Sequence, residues 1–336
     1  MGPPLLFSHP SSLEHETGAH PEGSGRIEAI TAELSAQSWL GWERREAPAA
    51  EAEALGAVHP PAHVEAVRAM SARGGGAFDP DTVTSAGSYE AALHAAGGAC
   101  AMVDALLAGE ARAGFCALRP PGHHADPSRA MGFCLFNNVA VAARHAIDSL
   151  GAGRVLVLDW DVHHGNGTND IFHRSDEVLF ASIHQSPLYP GTGPLSDVGS
   201  GPGEGFTLNL PVPPGSDEST WLALVEHVVA PAARAFGLDL VLVSAGYDAH
   251  HADPLASCRL ETASFGELAR QVRAIADAAA APVGAVLEGG YDTRALASSV
   301  GETLAALDAG GEPRSVEPDA VTERAIARLG RYWALA

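Results

Sequence analysis

The stretch Arg154–Gly167, RVLVLDWDVHHGNG, decides the reading of this chain of 336 residues. It opens on an aliphatic run, Val155-Leu156-Val157-Leu158, of the kind that forms a strand buried on both faces. Residues two apart in an extended segment share a face. Asp159, Asp161 and His163 therefore project to one side at the strand's end, with His164 beside them. A carboxylate and an imidazole at that spacing suit one divalent cation. A lone Asp-x-Asp is more often a solvated turn; four polar groups directly after a buried strand are poorly explained that way.

Composition narrows the class. Hydrophobic residues make up 46% and charged residues 18%, which describes a globular chain and not a disordered one. No apolar run approaches the ~18–20 residues of a membrane span, so no membrane partner is expected. The start, MGPPLLFSHPSS, has neither a basic region nor a cleavage site of secretory type. Cys100, Cys116, Cys134 and Cys258 lack a Cys-x-x-Cys spacing and read as reduced thiols of a cytoplasmic protein. A net charge of −21 argues against nucleic acid as a partner and favours encounter with cationic ligands, although it serves solubility equally well. The Gly-rich loops at 74–76 and 199–205 match no phosphate-binding pattern.

Outward from Arg154, strand-like and helix-like runs alternate. The candidate strands are 114–118, 154–158, 177–183, 239–244 and 282–287. The candidate helices are 25–37, 62–71, 88–108, 135–150, 218–236, 264–279 and 294–308, with Ser264 and Glu267 as a capping box. This alternation predicts an α/β fold: one domain over 1–336, with a mainly parallel central sheet and helices on both faces. The stretches 189–205 and 211–215 read as loops, and the first ~85 residues show helices and loops with no clear strand pattern.

Each strand ends in chemistry. RPPGHHA supplies His123 and His124, the Asp/His cluster follows 154–158, His184 follows 177–183, AGYDAHH carries Asp248, His250 and His251, and EGGYD carries Glu288 and Tyr291. Ligands of open parallel sheets bind outside the carboxyl ends of the strands, so these groups are expected to meet in one crevice.

RPPGHHA, GFCLFNN, LDWDVHHGNGT, PGTG, AGYDAHHADP and EGGYD, in that order over 119–291, resemble the zinc-dependent histone deacetylase family of the arginase–deacetylase fold. His20-Pro21-Glu22 with Arg26 resembles the family's N-terminal loop, and Trp160 and Asn166 look closer to its class II branch. The resemblance implies Asp161, His163 and Asp248 as zinc ligands, three donors with a position left open. Fe2+ could also occupy such a site. It implies His123 and His124 as the tandem histidines, Asp159 behind His123, and Tyr291 as the donor to the substrate carbonyl. Asn166 stands where class I enzymes carry an Asp behind His124; without a negative charge there, His124 should be the weaker base. Phe133 and Tyr189 are implied as tunnel walls, and Gly122 as a backbone acceptor in the tunnel. Potassium is implied at Asp159 and Ser182 with the carbonyls of Asp161, His163 and Ile183, and a second cation near Phe172 and Val178.

On this resemblance the chain hydrolyses an N-acetyl amide through metal-activated water. Acetylated lysine side chains and acetylated polyamines are both open as substrates. Leu255 stands where a polyamine-selective relative carries a glutamate, which disfavours polyamine, while Glu14, Glu16 and Asp79 could supply an acidic rim. A binding module without catalysis is disfavoured by the intact ligand set with Tyr291, and a two-manganese ureohydrolase by the paired His123-His124. His184, His250 and His251 read as structural or rim histidines, and Cys134 as a small buried residue. Helical N-terminal elements are candidates for a homo-oligomer contact.

Overall fold

The computed structural model describes residues 2–335. Eight strands form one sheet: β1 (Leu5–Ser8), β2 (Glu43–Glu46), β5 (Ala113–Cys116), β6 (Val155–Asp159), β7 (Val178–Gln185), β8 (Thr207–Val212), β9 (Leu240–Ala245) and β10 (Val283–Leu287). Their spatial order is β2-β1-β5-β10-β9-β6-β7-β8, and every adjacent pair is parallel. β3 (Gly75–Asp79) and β4 (Thr82–Ser85) make a separate antiparallel hairpin.

Strand side chains alternate between two hydrophobic cores, as the pleat requires. Leu156, Leu158, Val241, Val243, Leu179 and Ala181 pack with helices Gly25–Ala36, Thr262–Ala279 and Thr293–Ala309. Val155, Val157, Leu240, Leu242, Val178 and Phe180 pack on the other face with Ser88–Leu107 and Asn138–Asp148. A sheet covered on both sides buries its central strands completely, hence their uninterrupted aliphatic runs. Ser88–Leu107 is the one described helix long and apolar enough to cross a membrane, but most of its apolar window is buried inside the fold.

The helical segment expected over 218–236 contains a π-turn at Val225–Val229 between Glu218–Leu224 and Ala230–Phe236. The cap of Thr262–Ala279 is shifted from the expected pair. Glu261 is the N-cap and Ser264 occupies the third position, its hydroxyl accepting the Glu261 N–H at 3.0 Å. The N-terminal region also departs from its reading. It supplies β1 and β2 to the main sheet, and β2 is a four-residue edge strand of sequence ERRE, whose charges suit an edge but hide the alternation that marks a strand. β8 occupies 207–212 and so enters the expected 211–215 loop.

Two buried histidines brace the segment that leads to the crevice, His63 with its Nε2 2.8 Å from the Leu135 carbonyl and His59. His59 accepts the Asn137 N–H on Nε2 at 2.9 Å, and its Nδ1 lies 3.1 Å from the Pro127 carbonyl. Asn137 in turn caps helix Asn138–Asp148 by accepting the Ala140 N–H at 3.1 Å. Burial, then the neighbouring His63, lowers His59 to about 4. The unfolded chain takes up this proton below about pH 6.5 while the native chain resists it, so stability is lost as pH falls from about 6.5 to about 4. Urea unfolding of wild type should show that fall. His59→Gln, which cannot titrate, should start lower at pH 7 and decline less steeply; an unchanged slope would refute the assignment.

Candidate active site

The carboxyl ends of β5, β10, β9, β6 and β7 converge as their order dictates. Asp161, His163 and Asp248 present donor atoms that all lie within 4.8 Å of one another, and all three residues are buried. His163 Nδ1 lies 3.1 Å from Asp161 Oδ1 and 3.0 Å from Asp248 Oδ2. Backbone N–H groups fix the carboxylates: Asp161 Oδ2 accepts from Gly289 at 2.8 Å and Asp248 Oδ1 from Val162 at 2.9 Å. Burial pushes Asp161 up, but His123 and His163 outweigh it and hold its carboxyl well below the usual range. Burial, then repulsion from Asp161, raises Asp248.

The paired histidines stand side by side in different surroundings. His123 Nδ1 meets Asp159 Oδ2 at 2.9 Å, and the second Asp159 oxygen accepts the Asp161 N–H at 3.0 Å. Burial opposes a charge on His123, yet Asp159 and Asp161 raise it well above an ordinary histidine. His124 Nδ1 lies 2.8 Å from Asn166 Oδ1, whose amide nitrogen donates back to the His124 carbonyl at 3.3 Å. The Asn oxygen can only accept, so Nδ1 of His124 carries the hydrogen. Burial, then the neighbouring His123 and His163, keeps His124 well below the usual histidine range.

A cavity of about 190 Å3 reaches this cluster, lined by His124, His163, Tyr291, Gly132, Phe133, Leu188, Tyr189, Leu255 and, at its rim, Asp81. Gly132 and Phe133 both have positive φ (56° and 69°) in a two-residue turn closed between Met131 and Cys134, an uncommon backbone for Phe. That turn sets the Phe133 ring edge-on to Tyr291, with centroids 5.7 Å apart. Tyr189, 45% exposed, stands edge-on to His124. Its loop is anchored by His164, 2.7 Å from the Thr192 hydroxyl, and by His184, 2.9 Å from the Gly193 carbonyl. His184 is thus a structural histidine. Cys134 is buried and accepts the His124 N–H at 3.4 Å.

Several expected residues stand behind the cavity. Gly122 is buried and absent from its lining, and its carbonyl accepts the Ala125 N–H at 3.0 Å. Asp159 and Ser182 are register partners across β6 and β7, with Ile183 next in β7, and the Ser182 hydroxyl lies 2.9 Å from His184. Glu14, Glu16 and Asp79 are not in the lining; the acidic residue there is Asp81. Asp253 also escaped the sequence reading: it accepts the Tyr291 N–H at 2.7 Å and the Leu255 N–H at 3.0 Å, tying two walls together. Arg26 runs beneath Tyr291, its guanidinium 5.2 Å from the ring centroid, and donates to the Gly290 carbonyl at 2.8 Å. His250, His251 and Glu261 form a second donor trio, in which the His250 nitrogens already face the Ala252 N–H and the Thr262 hydroxyl. A larger cavity, about 390 Å3, lies away from the strand ends among Val225, Ala233 and Ile275; no His, Asp or Cys lines it.

A parallel sheet whose strand ends gather a buried Asp/His/Asp trio, tandem histidines and a tyrosine defines a hydrolase site of arginase–deacetylase type. The profile of the histone deacetylase domain matches residues 20–307, and the chain belongs to that family. It is 39% identical to histone deacetylase 14, chloroplastic, of Arabidopsis thaliana, over 90% of this chain and 76% of that protein. It is 41% identical to the histone deacetylase-like amidohydrolase of Pseudomonas aeruginosa, over 86% of this chain and 74% of that protein. The crystal structure of the HDA15 HD domain superposes with a TM-score of 0.92 at 34% identity, covering 99% of this chain and 96% of that one.

A Cβ on Gly289 would collide with Asp248 Oδ2 and Asp161 Oδ2. Gly289→Ala should splay the carboxylates and lower the divalent-metal content of the purified protein. Elemental analysis beside wild type checks this, and full metal occupancy would contradict it.

Proposed function

We propose that this hydrolase removes acetyl groups from lysine side chains of proteins or peptides, with zinc held by Asp161, His163 and Asp248. The observation that carries the reading is the narrow cavity: aromatic and aliphatic walls (Phe133, Tyr189, Leu188, Leu255) lead to His124, His163 and Tyr291 at its base. Such a slot accepts a straight methylene chain and places an amide at its end. The donor set fits zinc, since two carboxylates and an imidazole converge and backbone N–H groups orient the carboxylates, at both oxygens of Asp161 and at one of Asp248. Fe2+ suits the same donors. Bound zinc would polarise the acyl carbonyl and make water a better nucleophile.

The residues divide the remaining work. His124, neutral and with its Nδ1–H committed to Asn166, keeps Nε2 free to take a proton from the attacking water. His123, held protonated by Asp159, is the store from which the leaving amine receives its proton. Burial keeps the Tyr291 phenol protonated, ready to donate to the oxygen on which charge develops. Potassium is a proposal of the same kind. Each Asp159 oxygen accepts one hydrogen bond and keeps a lone pair, so Asp159 and the Ser182 hydroxyl would hold the cation together with the carbonyls of Asp161, His163 and Ile183.

Asp81 supports a second reading, an acetylpolyamine substrate. Its side chain is 76% exposed at the rim, with His20 Nε2 3.5 Å away. A distal ammonium would find a carboxylate there, although a cationic peptide would as well. Turnover of an acetyl-lysine peptide against N-acetylputrescine and N8-acetylspermidine separates the two, with Asp161→Ala as the blank. Faster peptide turnover is expected; faster polyamine turnover would replace the first reading with the second. Asp81→Asn should raise KM for cationic substrates severalfold and leave kcat unchanged. Tyr291→Phe should keep its metal and lose about 10²–10³ in kcat; an active variant would remove Tyr291 from its role.

A further inference from the structure

The loop that carries the paired histidines is held from almost every side by identifiable groups. The Arg119 N–H donates to the Ser12 hydroxyl at 3.1 Å. Asn138 Nδ2 donates to the Pro120 carbonyl at 3.0 Å, and Asn137 Nδ2 to the Ala125 carbonyl at 3.2 Å. The Thr168 N–H donates to the His123 carbonyl at 3.2 Å. Two donors at the centre of the loop, the N–H groups of Gly122 and His123, share one acceptor: Glu288 Oε2, at 2.6 and 3.1 Å. The other carboxylate oxygen, Oε1, accepts the Ser244 hydroxyl at 3.2 Å. Glu288 is wholly buried, and its own backbone is pinned, with the N–H donating to Ala245 and the carbonyl accepting from Arg26.

The sheet order explains why this residue can do it. β10 lies between β5, which leads into the histidine loop, and β9, which carries Ser244 at its end. A carboxylate one residue past β10 can therefore bridge the two neighbouring strand ends. Two adjacent backbone N–H groups converging on one oxygen fix the peptide planes on both sides of Gly122, and with them the point from which the His123 side chain leaves the chain. His123 meets Asp159 only if that point is right.

We infer that Glu288 is a positioning residue for the hydrolysis, setting the backbone of Gly122 and His123 so that the paired histidines face the substrate amide. The inference rests on the deacetylase reading of the site. It assigns a use to a buried strand-end carboxylate that neither joins the Asp161–His163–Asp248 trio nor pairs with a catalytic imidazole.

The test compares Glu288→Gln, Glu288→Ala and Ser244→Ala in metal-loaded, folded protein. Gln retains an acceptor oxygen for both N–H groups, and its amide nitrogen can donate to the Ser244 oxygen. Ala leaves both N–H groups buried and unpaired. The readouts are kcat and KM on an acetyl-lysine peptide, metal content, and hydrogen exchange of the Gly122 and His123 amides. Glu288→Ala should lose roughly 10- to 100-fold in kcat with little change in KM, and its two amides should exchange faster. Glu288→Gln should stay within about threefold of wild type in kcat and keep the protection. Ser244→Ala, a small change that preserves the fold, should show a milder loss in the same direction and stands in if Glu288→Ala does not fold. Unchanged kcat and unchanged protection in Glu288→Ala would overturn the inference. So would a Glu288→Gln variant as slow as Glu288→Ala, because charge and not the acceptor would then be what matters. If wild type leaves the peptide intact, the substrate reading fails by itself; amide exchange still decides Glu288, faster exchange in Glu288→Ala supporting it and unchanged exchange overturning it.

Discussion

Two carboxylates, Asp161 and Asp248, are buried around a single imidazole, and the rest of the structure is arranged to make that tolerable. A buried carboxylate is costly unless paired or hydrogen-bonded, and two sharing one site repel each other. Here each is held by a backbone N–H that comes from a different strand end: Gly289 after β10 for Asp161, and Val162 after β6 for Asp248. The carboxylates therefore lock the strand ends to one another as much as the strands place the carboxylates. The same close approach explains the lack of a side chain at Gly246 and Gly289, where a Cβ would run into the Asp161 and Asp248 oxygens.

A parallel sheet is what lets so many groups arrive together. All strands run the same way, so every carboxyl end opens on the same edge, and residues distant in sequence become neighbours there. Arg26 reaches Gly290, Asp253 reaches Tyr291, and Glu288 reaches Gly122 and His123 by this route. Each of these contacts joins a part of the site to an element that does not carry it, Arg26 from the helix Gly25–Ala36 and the other two from neighbouring strand ends. Displacing one strand end would thus disturb several functional groups at once, which is the physical reason the supporting residues are as buried as the ones they support.

Much of this was legible in the sequence because the central strands are aliphatic without interruption and each is followed immediately by polar groups. Val155–Leu158 with Asp159, Asp161 and His163 is the clearest case. What escaped had weak local signals. β2 is four charged residues, and its strand character comes only from pairing with β1. The cap at Glu261 and Ser264 used the expected serine in a different position, because the helix begins two residues earlier than its apolar pattern placed it. Asp81, rather than Asp79, reaches the rim, a choice made by how the β3–β4 hairpin sits over Phe133, whose N–H meets Thr82 at 3.3 Å. Glu288 and Asp253 stood in motifs already singled out, but their use depends on partners many residues away.

The paired histidines illustrate how one site keeps two adjacent, chemically identical groups in different states. Their ring centroids are 4.0 Å apart, so a proton on one disfavours a proton on the other. The tie is broken by what stands behind each Nδ1: a carboxylate, Asp159, for His123, and a neutral amide, Asn166, for His124. Asn166 retains the hydrogen-bond geometry and the tautomer while withholding the charge, so His124 stays neutral with its second nitrogen free. A carboxylate in place of Asn166 would raise the basicity of His124 and narrow the difference between the two rings. The difference in protonation is thus written into the two residues behind the rings, one on the strand end and one at the start of the next helix, rather than into the histidines themselves.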